Sequence, residues 1–223
     1  MEPIKTDTER RARPRLVGER LDELLDIAAE VFIADGFQAA STNVIAQRAG
    51  ASKASLYSRF PTKEDLFLAV LERRMNHIFQ TVTGTIPAQA PLRQALPAFA
   101  TRFSQSIFNQ AQIALVRLVC MESARFPQLG RRFFELGPGR GLAALTDYMA
   151  AQIEQGALRP HDPRLMAQQF LGMIAGFPLL VGLLGMAPDL ETEQTRALRI
   201  AAAVHAFMAA HARAPASMST DGP

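Results

Sequence analysis

The sequence predicts an all-α protein with a small N-terminal domain of three helices and a larger helical C-terminal domain. Apolar residues recur at helical spacing along most of the chain, and no segment alternates convincingly between apolar and polar residues as a strand would. A stretch rich in breaker residues, 84–91, interrupts this pattern and separates the two parts. With 223 residues, the chain is long enough to bury a substantial core.

Both ends of the chain are predicted to lack a fixed structure. Residues 1–15 form a flexible basic arm with four arginines, which either follows a neighbouring phosphate or minor groove or is only a solubilising tail. Residues 214–223 form a disordered tail. The opening segment lacks the apolar core of a signal peptide, and the lone Cys120 excludes an intramolecular disulfide. We therefore expect a cytoplasmic protein.

The first helix is predicted at residues 18–34, where apolar side chains form one stripe. Gly36 ends it, and Phe37 is expected to fold back onto the core. Residues 16–35 contain six acidic residues and one basic residue, whereas residues 41–63 contain four basic residues and no acid. This separation of charge would direct the basic segment toward an anion such as phosphate and turn the acidic helix away from it.

Residues 41–63 have the pattern of two short helices that meet at Gly50. Ser41 or Thr42 can cap the first helix and Ser52 the second, because a short hydroxyl accepts hydrogen bonds from the free N–H groups of a helix start. Glycine at the junction permits the positive φ angle that the turn requires. The segment is therefore predicted to be a helix-turn-helix, whose second helix enters a DNA major groove.

The second helix of this motif presents a face without bulky apolar groups once Leu56 and Phe60 are assigned to the core. On such a face Lys and Arg can bind phosphate or guanine, and Ser can contact a base edge weakly. The alternative is an ordinary solvated helix face. The predicted DNA-binding residues are Thr42, Arg48, Ser52, Lys53, Ala54, Ser55, Tyr57, Ser58, Arg59 and Lys63.

The next helix is predicted to begin near Lys63, because Pro61 ends the preceding one. Thr62 is expected to cap it, with Asp65 at the capping-box position. The free N–H groups of this helix start and the Lys63 ammonium would together bind a phosphate. The helix should run to about Thr81 and join the two domains, so a signal between them passes along it or its contacts.

Residues 42–70, TNVIAQRAGASKASLYSRFPTKEDLFLAV, resemble the DNA-binding domain of the TetR family of bacterial repressors. The resemblance covers roughly residues 16–77, and it departs mildly from the family pattern at Ala51, Ala54 and Arg59. It implies a helix-turn-helix DNA-binding domain at 16–77, with the motif at about 40–60. The matching residues are Ala28, Phe32, Gly36, Phe37, Ile45, Ala46, Ala49, Gly50, Ser52, Leu56, Tyr57, Phe60, Lys63 and Glu64.

The C-terminal domain, residues 78–213, is predicted to be helical throughout. One helix is expected at 92–107, and a buried apolar helix at 113–124 would hold Cys120 as inert core rather than as a redox sensor. A further helix or pair of helices follows and is interrupted near Gly137. The glycines of that interruption lack the Lys-Ser/Thr of a P-loop and follow no strand, so they indicate a helix break.

Residues 165–188 carry no charge, and the 18 residues of 170–187 lack even a glutamine. By length this segment qualifies as a membrane span, but Pro178 lies inside it and the rest of the chain is patterned as a soluble protein. A helix buried on more than one side, as at a subunit interface, is the preferred interpretation. We expect a homodimer through about 163–187 and 191–212, which would form a four-helix bundle.

No catalytic or metal-binding constellation is predicted, because the four histidines show no ligand spacing and no nucleophile stands beside a base. We therefore expect neither an enzyme nor a cofactor. Each aromatic or soft side chain of the C-terminal domain is most simply core. The TetR resemblance, however, implies a hydrophobic effector cavity. Its candidate residues are Phe99, Phe103, Ile107, Val116, Cys120, Phe134, Tyr148, Phe170, Met173 and Phe177.

The function predicted from these observations is transcriptional regulation by a homodimeric repressor. Its two recognition helices would bind successive major grooves of a palindromic operator, and a small hydrophobic effector would release it. The alternatives are a helix-turn-helix DNA-binding protein without an effector and a helical protein anchored in a membrane by residues 165–188.

Overall fold

The computed structural model describes residues 18–83, 86–87, 89–186 and 192–213, so the predicted basic arm at 1–15 and the tail at 214–223 lie outside it. The described residues form ten helices and, apart from an isolated bridge between Leu158 and Ala212, no strand pairing. The all-α prediction is confirmed. The helices are α1 (Glu19–Ala39), α2 (Thr42–Arg48), α3 (Lys53–Arg59), α4 (Lys63–Thr83), α5 (Leu92–Ile107), α6 (Gln110–Ser123), α7 (Pro127–Leu136), α8 (Pro138–Glu154), α9 (Pro163–Leu183) and α10 (Glu193–His211).

The chain divides into two compact units, Met1–Val70 and Leu71–Pro223. In the first unit, α1 continues five residues beyond the predicted end at Ala34, with a break at Gly36, where φ is 78°. Only glycine adopts this conformation without strain, so the helix bends there and resumes for a last turn. That turn places Phe37 in the core with 1% of its surface exposed, as the sequence predicts.

Three phenylalanines form the centre of the N-terminal unit. The ring centroids of Phe32 and Phe37 lie 5.8 Å apart, and that of Phe67 lies 5.0 Å from the first and 5.3 Å from the second. Ile45 of α2 and Leu56 of α3 are also buried, which fixes the two short helices by their inner faces. The outer face of α3 is thereby directed to solvent.

The starts of α2, α3 and α4 are capped as the sequence predicts. The Ser41 hydroxyl accepts from the Val44 amide at 3.5 Å, and the Ser52 hydroxyl accepts from the Ser55 amide at 3.0 Å. Gly50, in the turn between α2 and α3, has a φ of 60°. Thr62 and Asp65 form a reciprocal capping box, in which each side chain accepts a hydrogen bond from the other residue's amide at 3.0 Å.

The C-terminal unit is a stack of helices around one apolar core. Helix α8 packs against α7 and α9, while α10 packs against α5 and α9. The core contains Phe99, Leu145, Met149, Phe170 and Phe207, all at most 1% exposed. Its aromatic rings continue from α5 through α9 to α10, with Phe170 lying 6.3 Å from Phe99 and 5.3 Å from Phe207 between ring centroids.

Gly137 separates α7 from α8, so the segment predicted as one helix or two is a pair. A Cβ on Gly139 would lie 2.9 Å from the Phe134 carbonyl oxygen, which favours glycine there, whereas one on Gly137 would lie 2.5 Å from the sulfur of the flexible Met75 side chain. At the helix break, the start of α8 therefore lies close to the end of α7. The glycines join two helices and follow no strand, as the sequence predicts.

Helix α9 begins at Pro163, because the Asp162 carboxylate accepts from the Arg164 and Leu165 amides at 2.8 and 3.2 Å. Pro178 lies inside this helix and has no N–H for the Ile174 carbonyl four residues earlier. The Arg199 guanidinium of α10 donates a hydrogen bond to that carbonyl. At the other end of α9, the Arg117 guanidinium donates to the Gly182 carbonyl at 2.7 Å.

Candidate functional site

The outer face of α3 is exposed and polar. Lys53, Ala54, Tyr57, Ser58 and Arg59 all point to solvent, and Tyr57 is the largest of them with 38% of its surface exposed. Apart from the Tyr57 ring, this face carries no bulky apolar side chain, so it can approach a groove closely. Two cationic side chains stand at its ends, which suits phosphates on either side of a major groove.

Tyr57 connects the two helices of the motif. Its hydroxyl lies 2.9 Å from the Thr42 hydroxyl at the start of α2, and the Lys53 ammonium lies 5.8 Å from the centre of its ring. Thr42 therefore acts on the α3 face through Tyr57, and the contact restricts the rotamers of a side chain that would otherwise be free. The predicted residues Thr42, Lys53 and Tyr57 form one connected group.

Ser52 and Ser55 serve the cap of α3. Their hydroxyls are 2.8 Å apart, and the Ser52 hydroxyl also accepts from the Ser55 backbone amide. Both residues are partly buried. Since these hydroxyls already satisfy each other and the helix start, we assign Ser52 and Ser55 to positioning the helix.

Arg48 forms an ion pair with Glu30 of α1, and both side chains are exposed, at 46% and 63%. The acidic helix is therefore not turned away from the basic segment at this point, contrary to the charge-based expectation. An exposed pair of this kind contributes only ~0–1 kcal/mol, so a phosphate can replace the carboxylate at little cost. Arg48 therefore remains a candidate for DNA contact if it leaves Glu30 to bind a phosphate.

Lys63 has a structural role that the sequence analysis missed. Its ammonium donates to the carbonyls of Gln38 and Ala40, at 2.8 and 3.3 Å, and lies 5.1 Å from the centre of the Phe37 ring. A cation on the last carbonyls of a helix satisfies acceptors that have no helical donor. Lys63 thus holds the end of α1 against the start of α4, and its ammonium is engaged within the protein.

The C-terminal unit contains an apolar cavity of about 260 Å³, close to the lower end of the range of about 300–1,000 Å³ typical of ligand pockets. Four of the predicted pocket residues line it: Phe99, Phe103, Ile107 and Val116. The remaining wall comes mainly from α4, α7, α8 and α9, with Met75, Ile78, Phe79, Val82, Phe133, Leu142, Leu171, Ala175 and Leu179 among its residues.

The other six predicted pocket residues do not line this cavity. Phe170 is fully buried in the core, and the buried Tyr148 donates its hydroxyl proton to the Ala90 carbonyl at 2.8 Å. Burial raises the pKa of Tyr148 to about 12. The remaining four lie on the outward sides of their helices and are exposed in the single chain: Cys120, Phe134, Met173 and Phe177.

Exposure of Cys120 corrects the expectation of a wholly buried helix at 113–124. The neighbouring Met121 is 68% exposed, so α6 presents one edge to solvent while Leu115, Leu118 and Val119 face the core. Hydrophobicity alone cannot distinguish these two edges, because both are apolar. Gln112 also lines the cavity, and it is a polar residue that the sequence analysis did not predict there. It is the third residue of α6, and this position in the first turn was the only indication of a special role in the sequence.

Helices α9 and α10 expose an apolar face in the single chain. Phe177 is 75% exposed, Leu180 53% and Leu198 64%. The expected burial on more than one side, as at a subunit interface, requires a second chain and stays a prediction. Helix α9 is also long and apolar enough to cross a membrane by length and composition, with 28% of its most apolar window buried. Large exposed apolar faces mark contacts with proteins or membranes.

Small residues lie beside these apolar side chains. Gly172 and Gly176 are exposed on α9, and a Cβ on either would meet no atom within 4 Å. On α10, Ala202 and Ala209 are exposed as well. Small residues on two neighbouring helices permit the backbones of a second helix pair to approach closely.

Two histidines meet at the end of α10. The His211 ring lies 5.9 Å from that of His161 and 4.7 Å from that of Phe207, and one of its ring nitrogens is 3.0 Å from the Gln169 side-chain oxygen. Burial lowers the pKa of His211, and the positive charges of His161 and Arg159 lower it further. Within the described part of the chain, no group of three or more His, Cys, Asp or Glu side chains is placed to hold a metal ion.

Two family models match separate parts of the chain, one in each of its two units. A model described as bacterial regulatory proteins of the tetR family matches residues 24–70, and one described as the C-terminal domain of AefR-like transcriptional repressors matches residues 94–213. The first range contains the capped α2–α3 motif. The second contains most of the cavity wall and the exposed face of α9 and α10.

Curated relatives carry regulator names. The HTH-type transcriptional activator FasR of Mycolicibacterium smegmatis is 34% identical over 123 residues, which cover 50% of this chain and 56% of FasR. The match thus spans little more than half of that relative. The HTH-type transcriptional repressor KstR2 of the same species is 27% identical over 150 residues, covering 66% of this chain and 71% of KstR2.

Solved structures match over a greater length. A TetR-family transcriptional regulator from Mesorhizobium loti has a TM-score of 0.81 and 26% identity, covering 87% of this chain and 97% of that one. The flavonoid-responsive regulator FrrA has a TM-score of 0.75 and 31% identity, covering 89% of this chain and 100% of FrrA.

Proposed function

Because this chain belongs to the TetR family of bacterial transcriptional regulators, we propose that it is a homodimeric repressor that binds a palindromic operator and is released by a small hydrophobic effector. Members of this family bind DNA and dimerise, and the family is one of regulators rather than enzymes. For the same reason we propose that the protein acts in the cytoplasm.

The observation that carries this proposal is the exposed polar face of α3 on a well-packed support. Leu56 is 1% exposed and Phe60 8%, so the helix is held by its inner face. Ser52 caps its start, and Thr42 steadies Tyr57 from the neighbouring helix. Such support presents side chains to a groove in a fixed geometry, which is what sequence readout requires.

We divide the ten predicted DNA-binding residues by these contacts. Lys53, Ala54, Tyr57, Ser58 and Arg59 are proposed to meet DNA directly, with Lys53 and Arg59 on phosphates or guanines. Arg48 contacts phosphate after leaving Glu30. Thr42, Ser52, Ser55 and Lys63 position the reading face, and Lys63 is no longer assigned a phosphate contact through its ammonium.

The exposed face of α9 and α10 is proposed as the dimer interface. It explains why a chain with so apolar a surface helix can remain in water, since a symmetric partner would cover Phe177 and Leu180. The exposed glycines of α9 would let the partner helix approach closely. Anchoring in a membrane is the competing use of the same face.

The cavity is proposed as the effector site. Its wall comes from the last part of α4 and from helices α5 to α9, and it is almost wholly apolar. The similar protein FrrA is named a flavonoid-responsive regulator, which supports response to a small molecule. Binding in this cavity would favour one arrangement of its helices over another and so alter operator affinity.

Activation is the second candidate mode of regulation, because the relative FasR is named a transcriptional activator. The contacts of α3 would be the same in both modes. The position of the operator relative to the promoter would decide between them, since a repressor site overlaps the region that polymerase must occupy.

The experiment begins with selection of bound fragments from genomic DNA, followed by footprinting of the strongest one. We expect a protected inverted repeat whose half-sites are about 34–36 Å apart or a multiple of this distance. Replacement of Lys53 and Arg59 by Ala should weaken binding at least tenfold, which is about 1.4 kcal/mol. The slope of log affinity against log salt concentration should also become less negative by about one for each cation removed from a phosphate.

The matched control is replacement of Arg93 and Arg131, two exposed arginines of α5 and α7, by Ala. This variant removes the same number of charges and should bind the operator as the wild type does. If both double variants weaken binding equally, the effect is one of net charge, and the assignment of α3 fails. A wild-type protein that binds no duplex at low salt would contradict the whole proposal.

A further inference from the structure

Gln112 is the only polar side chain among the described residues that line the apolar cavity. Its surface is 5% exposed, and its side-chain nitrogen, Nε2, is buried without a hydrogen-bond partner among the described residues. A buried donor without an acceptor is rare in folded proteins, because it has lost its hydrogen bond to water and has formed none within the protein. The cavity wall therefore contains one unsatisfied donor in an otherwise apolar lining.

The backbone of Gln112 is fixed independently of its side chain. Asn109 caps α6, and its side-chain oxygen accepts from the Gln112 amide at 3.0 Å. Glutamine at the third helical residue often folds back onto the capping residue. Here Gln112 instead lines the cavity, and its side-chain nitrogen has no partner at the capping residue. A rotation of the side chain could therefore present this nitrogen to a ligand without disturbing the helix start.

Charged partners are absent from the described wall of the cavity. The nearby Arg140 is not one of the lining residues: its guanidinium donates to the Asn76 side-chain oxygen at 2.6 Å and lies 3.8 Å from the centre of the Phe79 ring. A carboxylate inside the cavity would lose its hydration and meet no counter-ion. An uncharged acceptor, such as a ketone or ester oxygen, loses much less.

We propose that the effector is an uncharged, mainly apolar molecule with one hydrogen-bond acceptor, and that the Gln112 Nε2 amide donates to that acceptor. The inference rests on the proposed function of the cavity as an effector site. Four phenylalanines of the wall, Phe79, Phe99, Phe103 and Phe133, favour an aryl group as the apolar part. Gln112 is then the residue that selects acceptor-bearing ligands from plain hydrocarbons.

The test uses three probes that share one phenylethyl skeleton and differ only at its end. 4-Phenyl-2-butanone carries an uncharged acceptor, isopentylbenzene replaces the carbonyl by an apolar branch, and 3-phenylpropanoate carries a charge. Their affinities for the full-length protein are measured by displacement of Nile red. In the wild type, the ketone should bind at least tenfold more tightly than the carboxylate.

The decisive quantity is the ratio of ketone affinity to hydrocarbon affinity, compared between variants. Gln112→Leu removes the donor but keeps a similar volume and the backbone cap, so this ratio should fall by about three- to tenfold. Ser104→Ala is the matched control. Its hydroxyl is also buried without a partner, but Ser104 does not line the cavity, so the ratio should stay at the wild-type value.

A ratio unchanged by Gln112→Leu, a carboxylate that binds more tightly than the ketone, or no displacement by any probe would overturn the proposal. Operator binding, measured in parallel, separates this inference from the proposed function. A Gln112-dependent ratio without operator release supports the ligand chemistry and contradicts effector control. Operator release by the ketone with no effect of Gln112→Leu supports effector control and contradicts the role of Gln112.

Discussion

Two glycines in the first turn of α8 differ in what surrounds them. A Cβ on Gly139 would lie 2.9 Å from the Phe134 carbonyl oxygen, whereas one on Gly141 would meet no atom within 4 Å. Backbone oxygen cannot move aside as a flexible side chain can. The first glycine is therefore required by contact, and the second only adds conformational freedom to the unfolded chain.

Gly141→Ala should raise the free energy of unfolding by about 0.5–1 kcal/mol, because alanine is the better helix former and has room at this position. Gly139→Ala should lower it by about 1–3 kcal/mol, since the overpacked contact outweighs the same gain. Denaturant midpoints of the two variants measure both effects. Equal shifts in the same direction would show that contact with Phe134 is unimportant.

His211 gives stability a dependence on pH. Its pKa in the folded protein lies below the ordinary value of 6.5, chiefly because of burial and then because of His161 and Arg159. A histidine with a lowered pKa binds a proton more readily in the unfolded chain. Its contribution to stability is therefore complete above pH 6.5 and is lost as the pH falls below that value.

His211→Gln should accordingly make the melting temperature less sensitive to pH between 6.5 and the lower pKa of the folded state. Thermal unfolding at half-unit pH steps measures this slope. His77→Gln, which replaces an exposed histidine of α4, is the control. A slope that is the same in all three proteins would exclude a role for His211 in the pH dependence.

Sequence identifies the residue types of the DNA-binding face but not which of them are already engaged. The exposed set on α3 follows from helical periodicity once Leu56 and Phe60 are placed inside. The ion pair joins Arg48 to Glu30, which lies 18 positions earlier in the sequence. The hydrogen bonds of Lys63 reach carbonyls at the end of α1 that lie more than 20 positions earlier. Such contacts depend on how α1 packs, which periodicity alone does not determine.

At the scale of elements, local chemistry predicts the helix starts well. Ser52 and the Thr62–Asp65 pair cap as expected, and Asp162 caps in the same way, because a cap involves residues only two or three positions apart. Helix ends are predicted less well. Helix α1 resumes for one turn after Gly36, and this turn packs Phe37 against Phe67. Because Phe67 is distant in the sequence, local pattern does not predict the extra turn.

The cap of α9 provides a test at this scale. Asp162→Ala should lower the free energy of unfolding by about 1 kcal/mol, because the Arg164 and Leu165 amides lose their acceptor. Asp162→Asn keeps an acceptor oxygen and should cost only a few tenths of this amount. Chemical denaturation of the two variants measures the difference. If asparagine costs as much as alanine, the carboxylate acts through charge rather than through the cap.

At the scale of the whole molecule, the cavity could be predicted only in part. Periodicity shows which side of α5 faces inward, and the predicted pocket residues Phe99, Phe103 and Ile107 of that side line the cavity. It does not show where neighbouring helices fail to fill the space between them. Tyr148 and Phe170 face inward where packing is complete, and Met173 and Phe177 belong to the outer face of α9. Their placement depends on helix rotation in the assembled unit.

The proposed dimer makes a prediction at the same scale. Phe177→Glu places a charge in the middle of the exposed α9 face, so it should convert the protein to single chains at micromolar concentration and weaken operator binding at least tenfold. Analytical ultracentrifugation measures the first effect and a gel-shift assay the second. Met121→Glu, which charges a 68% exposed site on α6, is the matched control and should remain dimeric.

Two outcomes would contradict this assignment. Monomers from the wild-type protein would exclude the interface, and so would dimers that persist in Phe177→Glu. Recovery of the wild type only in detergent-requiring membranes would favour anchoring by α9 instead.

The hydrogen bond from Arg199 to the Ile174 carbonyl couples two positions that are distant in the sequence, 178 and 199. Pro178 deprives that carbonyl of its helical donor, and the guanidinium of another helix supplies a replacement. A residue with an amide N–H at position 178 would restore the helical donor, so loss of Arg199 leaves an orphaned acceptor only where the proline is present. The two positions are therefore expected to be coupled in free energy, with the imino acid tolerated better beside its cationic companion than alone.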